Sequence, residues 1–285
     1  MRFGFVTCVQ LGLSCMRAIY RVGGRLDLAL TIPDDRGVTK SGRVYLDEFC
    51  GEHAIPLVKV RNINDPEAVE AIRQARIDWL FIIGWSQIAR TDVLAAPRNG
   101  VLGMHPTLLP QGRGRAAIPW AIIKGLERTG VTMFKLDQGV DTGEIVDQVV
   151  IELSERTDAG ELYRAVDAAH VTLMETAFPK LLNGTIQLRK QSEDEASEWP
   201  GRTPEDGRID LAGSVRDAER LVRATTRPYP GAFIVRDGRK LIVWRAALAE
   251  SDGDGELLPF RDGELRLIET EDGGPMAVTD QDRQS

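Results

Sequence analysis

The residues whose types and spacing could do chemistry lie between positions 100 and 143. Gly100–Pro110 (GVLGMHPTLLP) carries an apolar run onto one histidine, His105. Arg113 and Gly114 follow, then Thr129–Thr132 (TGVT), then a glycine-rich stretch, Asp137–Gly143 (DQGVDTG). A neutral imidazole can take a proton from an attacking amine near pH 7, and a neighbouring carboxylate would orient it or relay the proton through water. A lone histidine after an apolar run is more often structural. Here the predicted strand end puts His105 at a cleft, Pro106 and Pro110 stiffen the backbone that aims it, and an acidic loop could close over the same cleft. Spacing alone leaves Asp137, Asp141 and Glu144 as equal candidates for the acid.

Strands and helices must position these groups. Phe3–Thr7 reads as a buried strand, Met16–Tyr20 as a helix stopped by Gly23 and Gly24, and Leu26–Ile32 as the next strand. Residues 36–44 read as a loop, Tyr45–His53 as helical and Ile55–Val60 as extended. Asp65, Pro66 and Glu67 open a helix to about Ala75. Trp79–Ile83 is an all-apolar strand followed by a turn, Gly84–Gln87, and Val101–Met104 leads to His105. This alternation predicts an α/β fold with a Rossmann-like, mostly parallel sheet, whose ligands bind beyond the carboxyl ends of the strands. Val131–Leu136 and Ile145–Leu153 are further strands, and a capping box at Asp158 and Glu161 opens a long helix to Leu182.

The pattern then changes. Residues 191–207 read as a linker between a catalytic domain, 1–190, and a small C-terminal β-rich, OB-like domain, 208–285. In that second part Val215–Thr225 is a helix, and Asp237-Gly238 and Asp262-Gly263 mark hairpins. The last residues, 277–285, are expected to fray.

Composition narrows the function. The chain has 285 residues and a net charge of −7, so it has no global attraction to nucleic acid or an anionic membrane. Local basic patches at Arg113 and Arg115, or over Arg216–Arg227, remain open. Three cysteines without a Cys-x-x-Cys pair, and three histidines, argue against a zinc site and fit a reducing cytoplasm. No apolar run is long enough to span a bilayer. The opening stretch to Cys15 is expected to be a strand and loop rather than a signal peptide. Neither a Gly-x-Ser-x-Gly elbow nor a Walker loop is present. Trp85 and Trp120 could stack on a planar ring, though core packing is the commoner use. His53 and His170 read as structural.

Taken together, His105–Pro110, Arg113-Gly114, Thr129–Thr132 and the Asp137-x-Gly139-x-Asp141-x-Gly143-x-Ile145 pattern resemble the 10-formyltetrahydrofolate-dependent formyltransferases. Residues 1–190 carry the resemblance. The later segments, Arg202–Gly207, Val222–Thr225, Pro228–Phe233 and Val243-Trp244, are most similar to the sugar-nucleotide members, such as the domain acting on UDP-4-amino-4-deoxyarabinose. The resemblance implies transfer of a formyl group from 10-formyltetrahydrofolate, without a metal, to the primary amine of a nucleotide-linked amino sugar in cytoplasmic glycan assembly, by a chain that could form a homodimer. It makes His105 and Asp141 catalytic. It assigns Phe81, Ile83, Gly84, Trp85, Gln87, Asp137 and Val140 to the cofactor, and Thr107, Arg113 and Arg115 to the substrate. One departure is large: the family's oxyanion-stabilising asparagine is replaced by Gly103, and loss of such a donor typically costs about 10²–10³ in rate. Gln87 or Thr107 could compensate. Other readings are an acceptor such as methionyl-tRNA or hydroxyornithine, or a catalytically weak folate- or nucleotide-binding protein.

Overall fold

The structure, a computed structural model, describes residues 1–37, 42–249 and 254–275. It begins with β1 (Phe3–Val6), α1 (Gln10–Arg21), β2 (Leu28–Thr31), α2 (Asp34–Gly37), α3 (Asp47–Glu52) and β3 (Leu57–Lys59). Next come α4 (Pro66–Gln74), β4 (Trp79–Ile82), α5 (Thr91–Leu94), β5 (Gly100–His105), β6 (Arg113–Gly114) and α6 (Ala117–Ile123). Then follow β7 (Arg128–Lys135), β8 (Ile145–Glu152), α7 (Ala159–Leu182), β9 (Glu198–Trp199) and α8 (Val215–Thr225). The chain closes with β10 (Ala232–Arg236), β11 (Arg239–Leu248), β12 (Glu256–Phe260) and β13 (Gly263–Pro275). It divides into two compact units: residues 1–114, 129–151 and 165–198, and residues 115–128, 152–164 and 199–285.

The first unit is built on a seven-stranded sheet of order β3-β2-β1-β4-β5-β7-β8. Pairing is parallel from β3 through β5, and β7 runs antiparallel to β5. The expected mostly parallel sheet is therefore present. β1, β2 and β4 are buried at every position, as strands covered on both faces must be. Phe3 and Phe81 pack with Phe178 of α7, and Phe5 packs with Phe81, with ring centroids 4.5–6.4 Å apart.

Two local expectations change. The first helix starts at Gln10 rather than Met16. Gly12 lies inside it because a Cβ there would fall 1.9 Å from Thr7 Oγ1. That glycine serves close approach of the helix to β1, not a loop. Residues 34–37 form a helical turn where 36–44 read as a loop, and 38–41 of that segment lie outside the described residues. So does the expected frayed end at 277–285.

The second unit holds an antiparallel sheet of order β10-β11-β13-β12, the smaller β-rich part expected from the hairpin signals. Asp237 and Gly238 both take left-handed φ, 50° and 72°, as a tight two-residue turn requires. The second hairpin turns one residue earlier than expected, on Arg261 and Asp262, with Phe260 paired to Gly263. Ile209, Val215, Val222, Val243 and Leu265 form this unit's core with α8 laid on the sheet.

Candidate functional site

β5 ends on His105, and its neighbour β7 places Thr132 opposite. The imidazole is buried, at 7% exposure, so its bonding partners fix its chemistry. Nε2 lies 2.8 Å from the Gly112 carbonyl oxygen. A carbonyl can only accept, so Nε2 carries the hydrogen in the neutral ring and Nδ1 keeps the lone pair. Nδ1 faces Asp141 Oδ2 at 3.5 Å. The basic nitrogen thus sits beside a carboxylate, and a proton arriving there would make an ion pair.

Asp141 is held as firmly. Its φ is 55°, an uncommon left-handed conformation for a residue other than glycine. Its Oδ2 accepts the Gly114 N–H at 2.9 Å, and its carbonyl accepts Gln191 Nε2 at 2.7 Å. The same Gln191 amide donates to the Gly143 carbonyl. Gln191 Oε1 in turn accepts from Arg113 Nε and Nη2, while Arg113 also makes a forked pair with Glu193 at 2.8 and 2.9 Å. The Arg113 guanidinium, 5% exposed, is held more firmly cationic chiefly by that Glu193 hydrogen bond. The residue expected to hold a substrate anion is spent instead on the frame that carries Asp141. Arg115 is exposed.

The loop after His105 hangs on Thr132. Its hydroxyl donates to the Thr107 carbonyl at 2.7 Å and accepts from Leu109 N–H at 3.0 Å and Gln148 Nε2 at 2.9 Å. The Leu109-Pro110 peptide is cis. Thr107 is 2% exposed, and its Oγ1 is buried without a hydrogen-bond partner among the described residues. Thr132, Gln148 and Gln191 escape sequence reasoning because each acts through a bond made far along the chain. The Thr129–Thr132 motif was the one signal for any of them.

Gly103 shares the His105 face of β5, two residues before it. A Cβ there would lie 2.7 Å from Leu136 Cδ2 and 3.6 Å from the Ile82 carbonyl oxygen. Leu136 therefore occupies the room an asparagine would need. Gln87 does not supply the missing amide: its Oε1 accepts from Ile63 N and Trp85 Nε1, and its Nε2 donates to the Arg61 carbonyl. Thr107 retains an uncommitted hydroxyl.

The other residues assigned to a cofactor fall into two groups. Phe81 and Ile83 are core side chains, 0% and 1% exposed, so only their backbone is available. Gly84 turns the chain at φ 66° where a Cβ would strike Val9. On the acidic loop Asp137 Oδ1 accepts from Gly139 N–H and Thr142 Oγ1, which shapes the turn, while Val140 stands 53% exposed.

At the carboxyl end of the parallel strand β5 an oriented imidazole thus lies beside a carboxylate, an arrangement capable of acid/base chemistry. The family follows from comparison: residues 34–178 match the formyl transferase model and residues 202–283 the formyl transferase C-terminal domain. The chain belongs to the formyl transferase family. It is 28% identical over 247 residues to the bifunctional polymyxin resistance protein ArnA of Wigglesworthia glossinidia brevipalpis, covering 87% of this chain and 37% of that protein. It therefore spans little more than a third of that relative's length. An N-formyltransferase from Helicobacter canadensis, in complex with folinic acid and dTDP-3-aminofucose, shares the fold at TM-score 0.72 and 17% identity, over 95% of this chain and 100% of that one. Methionyl-tRNA formyltransferase from Clostridium thermocellum does so at TM-score 0.63 and 17% identity, over 96% and 99%.

Proposed function

We propose that this chain transfers a formyl group from 10-formyltetrahydrofolate to the primary amine of a nucleotide-linked amino sugar. The observation that carries the chemistry is the His105 Nδ1 lone pair held beside Asp141 Oδ2. Bound formyltetrahydrofolate supplies the activated formyl group. As the amine nitrogen bonds to the formyl carbon it must lose a proton, while the bond from that carbon to N10 of the folate breaks, its electron pair stays on N10, and N10 is protonated in turn from His105 as tetrahydrofolate leaves. His105 takes the amine's proton on Nδ1, and Asp141 stabilises the resulting imidazolium. Backbone of Gly84–Gln87, with the exposed Val140, suits a flat apolar ring. Three free cysteines suit a reducing cytoplasm. Among the described residues no helix is long and apolar enough to cross a membrane.

The acceptor class is supported by the ArnA relative and by the Helicobacter protein's dTDP-3-aminofucose. The filled space beside Gly103 favours one other reading, a folate-binding protein that turns over weakly. Following tetrahydrofolate release with a panel of amino-sugar nucleotides separates them. Release that depends on both substrates is expected. Tight folate binding with no release for any amine would leave the binding reading standing. Formylation of charged initiator tRNA at a competing rate would replace the sugar acceptor.

A further inference from the structure

A cavity of about 520 Å³ lies within the second unit, lined by residues of α6, the 125–127 turn, the 153–157 loop, α8 and β11. None of the His105 and Asp141 site residues lines it. Its volume falls within the range of small-molecule sites. Ile122, Leu126, Leu153 and Leu248 give it apolar walls. Its charged lining carries both signs, and only part of it is paired. α8 turns Arg216, Arg220 and Arg223 toward it at i, i+4 and i+7, the spacing of one helix face, and the loop adds Arg156. Glu127 and Glu155 also line it.

Arg223 is spent on Glu219 at 2.6 Å and on the Thr157 carbonyl at 2.8 Å, which ties α8 to the loop. Arg220 reaches only Asp217, at 4.0 Å. The side chains of Arg156, Arg216, Glu127 and Glu155 make no hydrogen bond or ion pair among the described residues. Apart from the Arg223–Glu219 pair, charges of both signs thus line one cavity without meeting. A pure polyanion would be repelled by the glutamates, and a simple amine by the arginines. A molecule carrying both signs on an uncharged body satisfies all four.

We propose that this cavity binds a small amine-bearing organic phosphate. Arg156 and Arg216 take the phosphate oxygens in forked contacts, and Glu127 and Glu155 take the ammonium. The site is separate from the formyl-transfer site, and the proposal does not depend on which acceptor that site uses.

Calorimetric titration of the whole chain with glucosamine 6-phosphate, glucose 6-phosphate and glucosamine tests it. Glucosamine 6-phosphate should bind, glucose 6-phosphate several-fold more weakly, and glucosamine not measurably. The double variant Arg156→Gln/Arg216→Gln should weaken glucosamine 6-phosphate at least about tenfold. Glu127→Gln/Glu155→Gln should abolish the preference for the amine while glucose 6-phosphate still binds. These four side chains are exposed, so the variants should fold. No binding of either phosphate at millimolar concentration overturns the proposal. Binding that the arginine variant leaves unchanged overturns it equally, because the ligand would then sit elsewhere.

Discussion

At the level of single residues, the site separates charge from geometry. Asp141 holds its loop by accepting the Gly114 N–H, and it faces His105 as an anion. Asparagine can still accept that bond but carries no charge. Asp141→Asn should therefore keep the melting temperature while lowering turnover about 10²-fold, and His105→Ala should cost at least as much. Unimpaired turnover in the asparagine variant would reduce Asp141 to a positioning residue. Gly103 poses the complementary question. Restoring asparagine there puts a Cβ against Leu136 Cδ2, the movable end of a side chain. Gly103→Asn alone should gain little, because the new amide and Leu136 compete for the same space. Combined with Leu136→Ala, it should raise turnover about tenfold or more over the Leu136→Ala parent, since one oxyanion donor is worth about 10²–10³. A fall in both backgrounds would mean that the site has been rebuilt around the glycine.

Among the elements, α7 carries a second histidine whose burial has a measurable effect. His170 is 2% exposed, and Nδ1 donates to the Val166 carbonyl at 2.8 Å. Burial pushes its pKa down to about 4, with the charge of His105 adding to the shift. The unfolded chain takes up a proton on this ring from about pH 6.5 downward, while the folded chain resists until about 4. The folded state therefore loses stability as pH falls through that window, by up to about 3 kcal/mol. His170→Asn keeps a donor at the same place and should flatten the urea-unfolding free energy between pH 6.5 and 4; an unchanged slope would assign the effect to other groups. The sequence already pointed to His170 as structural, since it sits among apolar residues at helical spacing. The sheet strands, α4, α7, α8 and the first hairpin were legible for the same reason: local periodicity and turn chemistry decide them. The start of helix α1 was not legible, because Gly12 reads as a helix breaker in sequence, whereas in the fold it gives the helix room against Thr7. His105 was legible as the end of a strand. The frame of Thr132, Gln148, Gln191 and Glu193 was not, because its bonds join residues up to 80 apart in sequence.

For the molecule as a whole, charge decides which acceptors can be gathered. Binding a polyanion such as tRNA draws on many cations at once, and each neutralised phosphate steepens the salt dependence. This chain carries a net charge of −7. The arginine-rich stretch from 216 to 227 looks basic in sequence, yet folding neutralises much of it. Arg223 pairs with Glu219, Arg220 approaches Asp217, and Arg227 meets both Glu269 and Glu271. Exposed pairs like the last contribute little to stability, but they do cancel the local field. Initiator tRNA should therefore show no measurable binding at about 0.15 M salt, and formyl transfer to an amino-sugar nucleotide should change little between about 0.05 and 0.2 M. The informative measurement is log affinity for tRNA against log salt. A slope of about −4 or steeper would mean that several phosphates are held after all, since each contributes about −0.7 to −0.9. The acceptor would then be an RNA, and the arginines would have to leave their acidic partners to bind it.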